Sequence, residues 1–469
     1  MPISFEKKRL CLDDKLQTAF DKLRCSFAVS DGELKKLTKG FLKEMERGLV
    51  QHFDSIPMIP TWVTEHPTGN EQGEYLALDL GGTNLRVVSV TLKGNCDFEF
   101  EHTKYRLPVS LRTCSCSELW NFIVNCIEDF VLQKYSPLPE LPLPLGFTFS
   151  FPASQDKIDE GILQRWTKGF NIPDVEGRDV VHMLQEKINT RKLPIKVAAL
   201  INDTTGTLIA SEYSDPKTKM GLIFGTGVNA AYFDYIDRIE KLNGSASKEW
   251  TTRHIPIAIN TEYGAFDNDH NYLKRTKYDI YIDQHSARPN QQSYEKMVSG
   301  YYLGEILRLV LLDLAHEGLI FKNKDLQKLN VPYIMDASYP AKAEEDDFQQ
   351  LLLIDKIMRT EFEIQTTLCE RQLIQEISAL IGTRAARLSA CAIAAICKRM
   401  NIESGHCACD GSVFKKYPFF TVRVENALRG IFNWKFDREI PLKLVAAEDG
   451  SGVGAAIVAC LAKKSSNQK

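Results

Sequence analysis

Asp203 ends an apolar run, Val197-Ala198-Ala199-Leu200-Ile201-Asn202, and is followed by Thr204-Thr205-Gly206-Thr207. That order predicts a buried strand stopping on a carboxylate, with a helix starting just beyond it. Two other stretches repeat a related pattern. One runs Tyr75-Leu76-Ala77-Leu78-Asp79-Leu80-Gly81-Gly82-Thr83-Asn84-Leu85-Arg86, the other Met220-Gly221-Leu222-Ile223-Phe224-Gly225-Thr226-Gly227-Val228-Asn229. Each is a strand, a turn of Gly and Thr, then a second strand. A tight glycine turn lets backbone N–H groups approach phosphate oxygens closely, and the threonine hydroxyl adds a donor. Two phosphate turns and one strand-end carboxylate point to phosphoryl transfer from a nucleotide. No Gly-x-x-x-x-Gly-Lys-Ser/Thr sequence is present, so the phosphate site is not of the Walker kind.

The elements that must position these residues follow from periodicity. Residues 12–51 read as helical, with Leu34, Leu37, Phe41 and Met45 at helical spacing. From Gly73 the pattern changes to strands and turns, and Pro137 to Pro144 marks a loop leading into an apolar strand. Helices are expected from about Glu295 to Ala315, from about Glu370 to Met400, and from Gly452 through Ala462. Glu344-Glu345-Asp346-Asp347 reads as a solvated loop.

Composition narrows the function classes. A chain of 469 residues is too long for one ordinary core, so two to three domains are expected. A net charge of −3 provides no general attraction to nucleic acid. No run of 18 apolar residues offers a membrane span, and the N-terminal stretch lacks the apolar segment of a secretory signal. Twelve cysteines, several within apolar patterns, read as reduced thiols, and a cytoplasmic location is expected. Cys114-Ser115-Cys116 and Cys407-Ala408-Cys409, the latter beside His406, lack the spacing of common zinc modules.

Further stretches carry a resemblance. They are Leu145 to Pro152, Gln164-Arg165-Trp166-Thr167-Lys168-Gly169-Phe170, Asn260-Thr261-Glu262-Tyr263-Gly264, Tyr294 to Glu305, and Glu448-Asp449-Gly450-Ser451-Gly452. With the two turns, and in this order, they resemble the fungal hexokinases, sugar kinases of the actin-like ATPase superfamily. The resemblance runs from about Pro57 to Cys460. It implies an α/β fold of two ribonuclease-H-like domains, with mixed five-stranded sheets and helices, flanking a deep cleft. The large domain would hold residues 1–68 and 202–445, the small one 69–201 and 446–469.

The same resemblance implies roles. Asp203 would be the general base on a sugar 6-hydroxyl, although as a strand-end aspartate it also suits the cap of a helix beginning at Thr204. Lys168 would serve catalysis and, with Ser150, Thr167, Asn202, Asp203, Asn229, Glu262 and Glu295, hold the hexose. Gly81, Gly82, Thr83 and Asn84 would face one side of the ATP phosphates, Thr226 and Gly227 the other. Asp410, Gly411, Ser412, Gly450, Ser451 and Gly452 would face the nucleoside. Asp79 would reach magnesium through water, the metal arriving with ATP. ATP and a hexose are the expected partners, with no nucleic acid and no membrane, in a monomer or homodimer. Thr261 and Val228 stand where relatives vary, and the N-terminus lacks the extended basic segment of some fungal members. Two rival readings remain at this point: an ATPase on the same superfold, and a catalytically silent glucose sensor.

Overall fold

The computed structural model describes residues 13–52, 55–82, 84–166, 170–242 and 253–467. Its strands are β1 (Ile59–Pro60), β2 (Gln72–Leu80), β3 (Asn84–Gly94), β4 (Asp97–Arg106), β5 (Leu143–Phe149), β6 (Ala153–Ser154), β7 (Ile162–Leu163), β8 (Ile195–Ile201), β9 (Thr218–Phe224), β10 (Val228–Tyr235), β11 (Pro256–Asn260), β12 (Gly405–Asp410) and β13 (Leu442–Ala446).

Two main sheets form the two lobes. The small lobe's order is β4-β3-β2-β5-β8, and the large lobe's is β1-β11-β10-β9-β12-β13. In the first, β2, β3 and β4 pair antiparallel, then β5 and β8 add in parallel. In the second, β9, β10 and β11 pair antiparallel, then β12 and β13 add in parallel. The repeat of the strand–turn–strand unit therefore extends to a whole five-strand topology. The large sheet departs from the expected five strands because β1 pairs antiparallel with the outer edge of β11. This two-residue strand is too short to show a period in the sequence.

Alternation explains why these strands are buried on both faces. Leu76, Leu78 and Leu80 of β2 pack outward against the helices Cys116–Lys134 and Val180–Thr190. Tyr75 and Ala77 point inward, into a layer shared with the helices Asp203–Ser214 and Gly450–Asn467. The outer face of the large sheet is covered by the remaining helices, including Leu368–Met400. That helix is apolar and long enough to cross a membrane, yet most of it is buried inside the large lobe.

The inner layer sets the geometry of the molecule. Asp203–Ser214 follows β8, Gly450–Asn467 follows β13, and the two cross at glycines. A Cβ on Gly454 would lie 2.1 Å from the Gly206 carbonyl oxygen, and one on Gly450 would lie 2.7 Å from Thr207 Cα. The backbones can meet this closely only without side chains. The C-terminal helix also packs on β2, β5 and β8, so the chain's end returns to the small lobe.

Three local expectations are corrected. Glu344 and Glu345 end the helix Ser338–Glu345 rather than forming a solvated loop, and Glu344 is buried because Arg423 pairs with it at 2.5 Å. Asp346 is also buried, accepting from the Ile354 N–H at 2.8 Å. The stretch from Glu295 breaks at Ser299 into Glu295–Val298 and Gly300–His316. The last helix starts at Gly450, two residues earlier than expected.

The glycine crossing predicts a specific sensitivity. Gly454→Ala should destabilise the fold by about 1–3 kcal/mol or more, the usual cost of forcing a methyl into a filled interior. Thermal unfolding monitored by circular dichroism checks this, and Gly32→Ala serves as a control because Gly32 is an exposed helical residue whose Cβ would meet only Ser30 Oγ, at 3.9 Å.

Candidate active site

The strand end at Asp203 forms by cooperation of neighbouring residues. Asn202, and not Asp203, is the N-cap: its Oδ1 accepts from the Thr204 N–H at 2.9 Å and from Thr204 Oγ1 at 2.7 Å. Asp203 is the first helical residue, its Oδ1 accepting from the same N–H at 2.9 Å. Thr207 Oγ1 donates back to the Asp203 carbonyl at 2.9 Å. With Asn202 as the cap, the Asp203 carboxylate lies half-buried on the helix terminus, one oxygen sharing the Thr204 N–H.

Across from it lies a network of amides and a carboxylate. Asn229 Nδ2 donates to Asn260 Oδ1 at 2.7 Å and to Glu262 Oε1 at 3.0 Å. Asn260 Nδ2 donates to Glu262 Oε1 at 2.9 Å, and the Glu262 N–H returns to Asn229 Oδ1 at 2.9 Å. Glu262 adopts φ 55° and ψ 37°, the left-handed region, so the strand ends sharply and its side chain turns back onto Asn229. A non-glycine residue held there costs about 1–3 kcal/mol, which its surroundings must offset. Asn260 belongs to this network and carried no assigned role in the sequence reading.

Glu295 is tied to the second Gly-Thr turn. Its Oε2 accepts from the Val228 N–H at 3.0 Å, and a Cβ on Gly227 would sit 2.7 Å from that oxygen. Gly227 thus permits the close approach of a carboxylate. The turn itself closes by Gly225 N–H to the Gly227 carbonyl at 3.0 Å, and the helix Gly300–His316 donates to the carbonyls of Gly225 and Thr226. Gly411, at φ 106°, presses against Phe224 and Gly225, which brings Asp410, Gly411 and Ser412 beside this turn.

The first turn is braced differently. Arg86, on β3, donates to Asp79 Oδ2 through Nε at 3.1 Å and Nη2 at 2.8 Å, to Asp449 Oδ1 at 2.5 Å and to Ser451 Oγ at 2.6 Å. Ser451 Oγ in turn donates to Asp79 Oδ2 at 2.8 Å. Burial works against the Arg86 charge, but Asp79 and Asp449 more than offset it and hold its pKa above the usual arginine range. The cluster joins Asp79 to Gly450, Ser451 and Gly452 at the start of the C-terminal helix. All three hydrogen bonds to Asp79 fall on Oδ2, so among the described residues Oδ1 takes none. One carboxylate oxygen left open beside the first Gly-Thr turn fits a water-mediated contact to a magnesium ion that keeps its water and phosphate ligands.

Ser150 is buried just past β5, with its N–H on the Leu80 carbonyl at 3.4 Å, beside the end of β2. Gly81 donates to the Asn84 carbonyl at 3.1 Å, closing the first turn. Thr83, Thr167 and Lys168 lie outside the described residues. On their flank, Arg165 is pushed below the usual arginine range by burial and then by Arg288, while Glu262 pulls it back up. Arg288 Nη2 donates to the Trp166 carbonyl at 3.1 Å, and Trp62 Nε1 to the Gln155 carbonyl at 2.8 Å, so side chains span the lobes here. Cys407 and Cys409 are free thiols buried on β12 and raised by that burial, and His406 pairs with Asp215. No group of three or more His, Cys, Asp and Glu able to hold a metal gathers among the described residues.

Family models named hexokinase match residues 19–213, a range that takes in nearly all of the helix that Asp203 begins, and residues 219–461. The chain belongs to the hexokinase family. It is a phosphotransferase. The chain is 55% identical over 444 residues to a hexokinase of Kluyveromyces lactis, covering 94% of this chain and 91% of that one. It is likewise 55% identical over 448 residues to hexokinase-2 of Saccharomyces cerevisiae, covering 95% and 91%. Among solved structures, the hexokinase from Schistosoma mansoni complexed with glucose superposes with a TM-score of 0.85 at 33% identity, covering 95% of this chain and 99% of that one.

The amide network predicts that Asn260→Ala raises the sugar KM by roughly 10–200-fold, because a hydrogen bond to a charged group is worth about 1.5–3 kcal/mol. Steady-state kinetics at saturating ATP check this, and kcat should change much less.

Proposed function

We propose that the chain transfers the γ-phosphate of MgATP to the 6-hydroxyl of glucose and of the related hexoses mannose and fructose, the first step of glycolysis, with Asp203 as general base. The observation that carries this reading is the meeting of three parts at one helix terminus. Asp203 opens the helix that Asn202 caps, the Asn229, Asn260 and Glu262 network reaches the adjoining Thr204 hydroxyl, and the second phosphate turn is tied to Glu295.

The chemistry follows from those parts. The sugar O6–H gives its proton to Asp203 as O6 bonds to the γ-phosphorus and the bond from that phosphorus to the bridging oxygen breaks, its electron pair leaving on ADP. An alcohol is a poor nucleophile until its proton is being removed, so a positioned base matters. Glu262 and Glu295 accept from sugar hydroxyls, with Asn202, Asn229, Ser150 and Thr167 as further partners. By the family resemblance Lys168 would reach the γ-phosphate or the sugar. Gly81, Gly82, Thr83 and Asn84 on one side, with Thr226 and Gly227 on the other, hold the phosphates. Magnesium bound with ATP, reached from Asp79 through water, supplies charge neutralisation at the phosphate oxygens. The lobes, dividing near residues 68, 201 and 445, close on the sugar and exclude water, which would otherwise accept the phosphate.

Two experiments test this. A coupled ADP-release assay over glucose, mannose, fructose, galactose and no sugar should show turnover with the first three and roughly 10–200-fold discrimination against galactose, the effect of one unmatched buried hydrogen bond. Sugar-independent ATP turnover would instead support a plain ATPase, and tight glucose binding without turnover a sensor. Asp203→Ala should lower kcat by at least ~10²–10⁴ while glucose affinity falls far less. Rates within a few fold of wild type would remove Asp203 from the mechanism.

A further inference from the structure

Arg112 lies on the 3₁₀ turn Val109–Thr113, between β4 and the helix Cys116–Lys134. Its backbone is fixed on both sides. Leu111 is buried, and Ser115 opens the following helix through a capping box with Glu118. From this footing the guanidinium reaches the first phosphate turn, where Nη2 donates to the Gly82 carbonyl at 3.3 Å. Its carbon lies 6.0 Å from the centroid of the Phe170 ring, and the Arg112 carbonyl accepts from the Asn171 N–H at 2.7 Å. Arg112 therefore spans from the Gly81-Gly82 turn to the segment that follows residue 169.

Arg112 contrasts with Arg86, the other arginine of this turn. Arg86 is neutralised by Asp79 and Asp449. Arg112 has no carboxylate partner among the described residues, and its one side-chain hydrogen bond runs to a neutral carbonyl at the long end of the range. A guanidinium offers five N–H donors in a planar fork suited to phosphate oxygens. A half-buried guanidinium at a phosphate turn, with most of its donors unengaged and no counter-charge, is preorganised for an anion.

Resting on the kinase reading, we propose that Arg112 is a catalytic residue whose guanidinium contacts the non-bridging oxygens of the ATP triphosphate and stabilises the negative charge that spreads over them during transfer. It takes no proton and makes no covalent bond; its contribution is charge and orientation. The bond to Gly82 presets the side chain, and a phosphate entering the turn adds the stronger, charged acceptor.

The competing view is that Arg112 is a strut for the turn, and Arg112→Gln separates the two because glutamine keeps a donor for the Gly82 carbonyl and loses the charge. The expected result is a fall in kcat/KM for MgATP of roughly 10²-fold, the usual effect of losing one preorganised donor to transition-state charge. Glucose affinity, read by tryptophan fluorescence, and the melting temperature should stay at wild-type values, and Arg112→Lys should retain more activity than Arg112→Gln. Calorimetry with the non-hydrolysable analogue AMP-PNP should show weaker binding to Arg112→Gln. A kcat/KM for MgATP within about threefold of wild type would overturn the proposal. So would a loss accompanied by an equal loss of glucose affinity and stability, which is the mark of a strut. If wild-type protein released no ADP with any sugar, the kinase reading would fail by itself. Arg112 would then be judged by AMP-PNP calorimetry, where equal binding by wild type and Arg112→Gln overturns the proposal.

Discussion

The close backbone approach between the helix that Asp203 begins and the helix that Gly450 begins is the constraint on which the rest depends. Each helix follows the last parallel strand of its own sheet, and each presents its first residues to the cleft. Their glycines, Gly206, Gly450 and Gly454, allow contact where any Cβ would meet backbone atoms at 3.0 Å or less. One crossing thereby sets Asp203 on one strand end relative to Ser451 on the other, and through Ser451 sets Arg86 and Asp79 as well. A helix pair spaced by side chains would separate the candidate base from the phosphate turn by the width of those side chains.

Around that crossing, polar groups are arranged in closed sets. Asn229, Asn260 and Glu262 satisfy one another, and Glu295 holds a backbone N–H of the opposite phosphate turn. Buried polar networks of this kind rigidify a site when fully satisfied and are costly when broken. The network also links functions that the sequence presents as separate stretches. Glu295 stands in a sugar-binding stretch by resemblance, yet it touches the turn assigned to phosphates. The occupancy of one substrate site is in this way physically adjacent to the shape of the other.

Much of this was legible in the sequence because the signals are local. A strand ending in Asn-Asp-Thr, a glycine turn between alternating apolar residues, and a long apolar helix are each read within a dozen residues. Contacts between distant segments left no such trace. Arg86 meets Asp449 across 363 residues, and nothing near Arg86 distinguishes it from a solvated strand residue. Glu344 sits in an acidic run that reads as surface, yet Arg423, 79 residues later, draws it into the interior. The bond of Asn260 to Glu262, two residues on, depends on Glu262 turning left-handed, which no residue type there announces. The repeat of the two turns was visible, while its extension to the full strand order required the pairing of β12 and β13, which lie far from the meander they complete.

The central claim is that two lobes joined at a glycine crossing hold the halves of one site and close on the sugar. Small-angle X-ray scattering with and without saturating glucose tests this most directly, because a sugar held as proposed would bridge side chains on both lobes before any chemistry occurs. The account predicts a smaller radius of gyration on glucose addition, in the absence of ATP. An unchanged radius at a glucose concentration shown to saturate binding would contradict it.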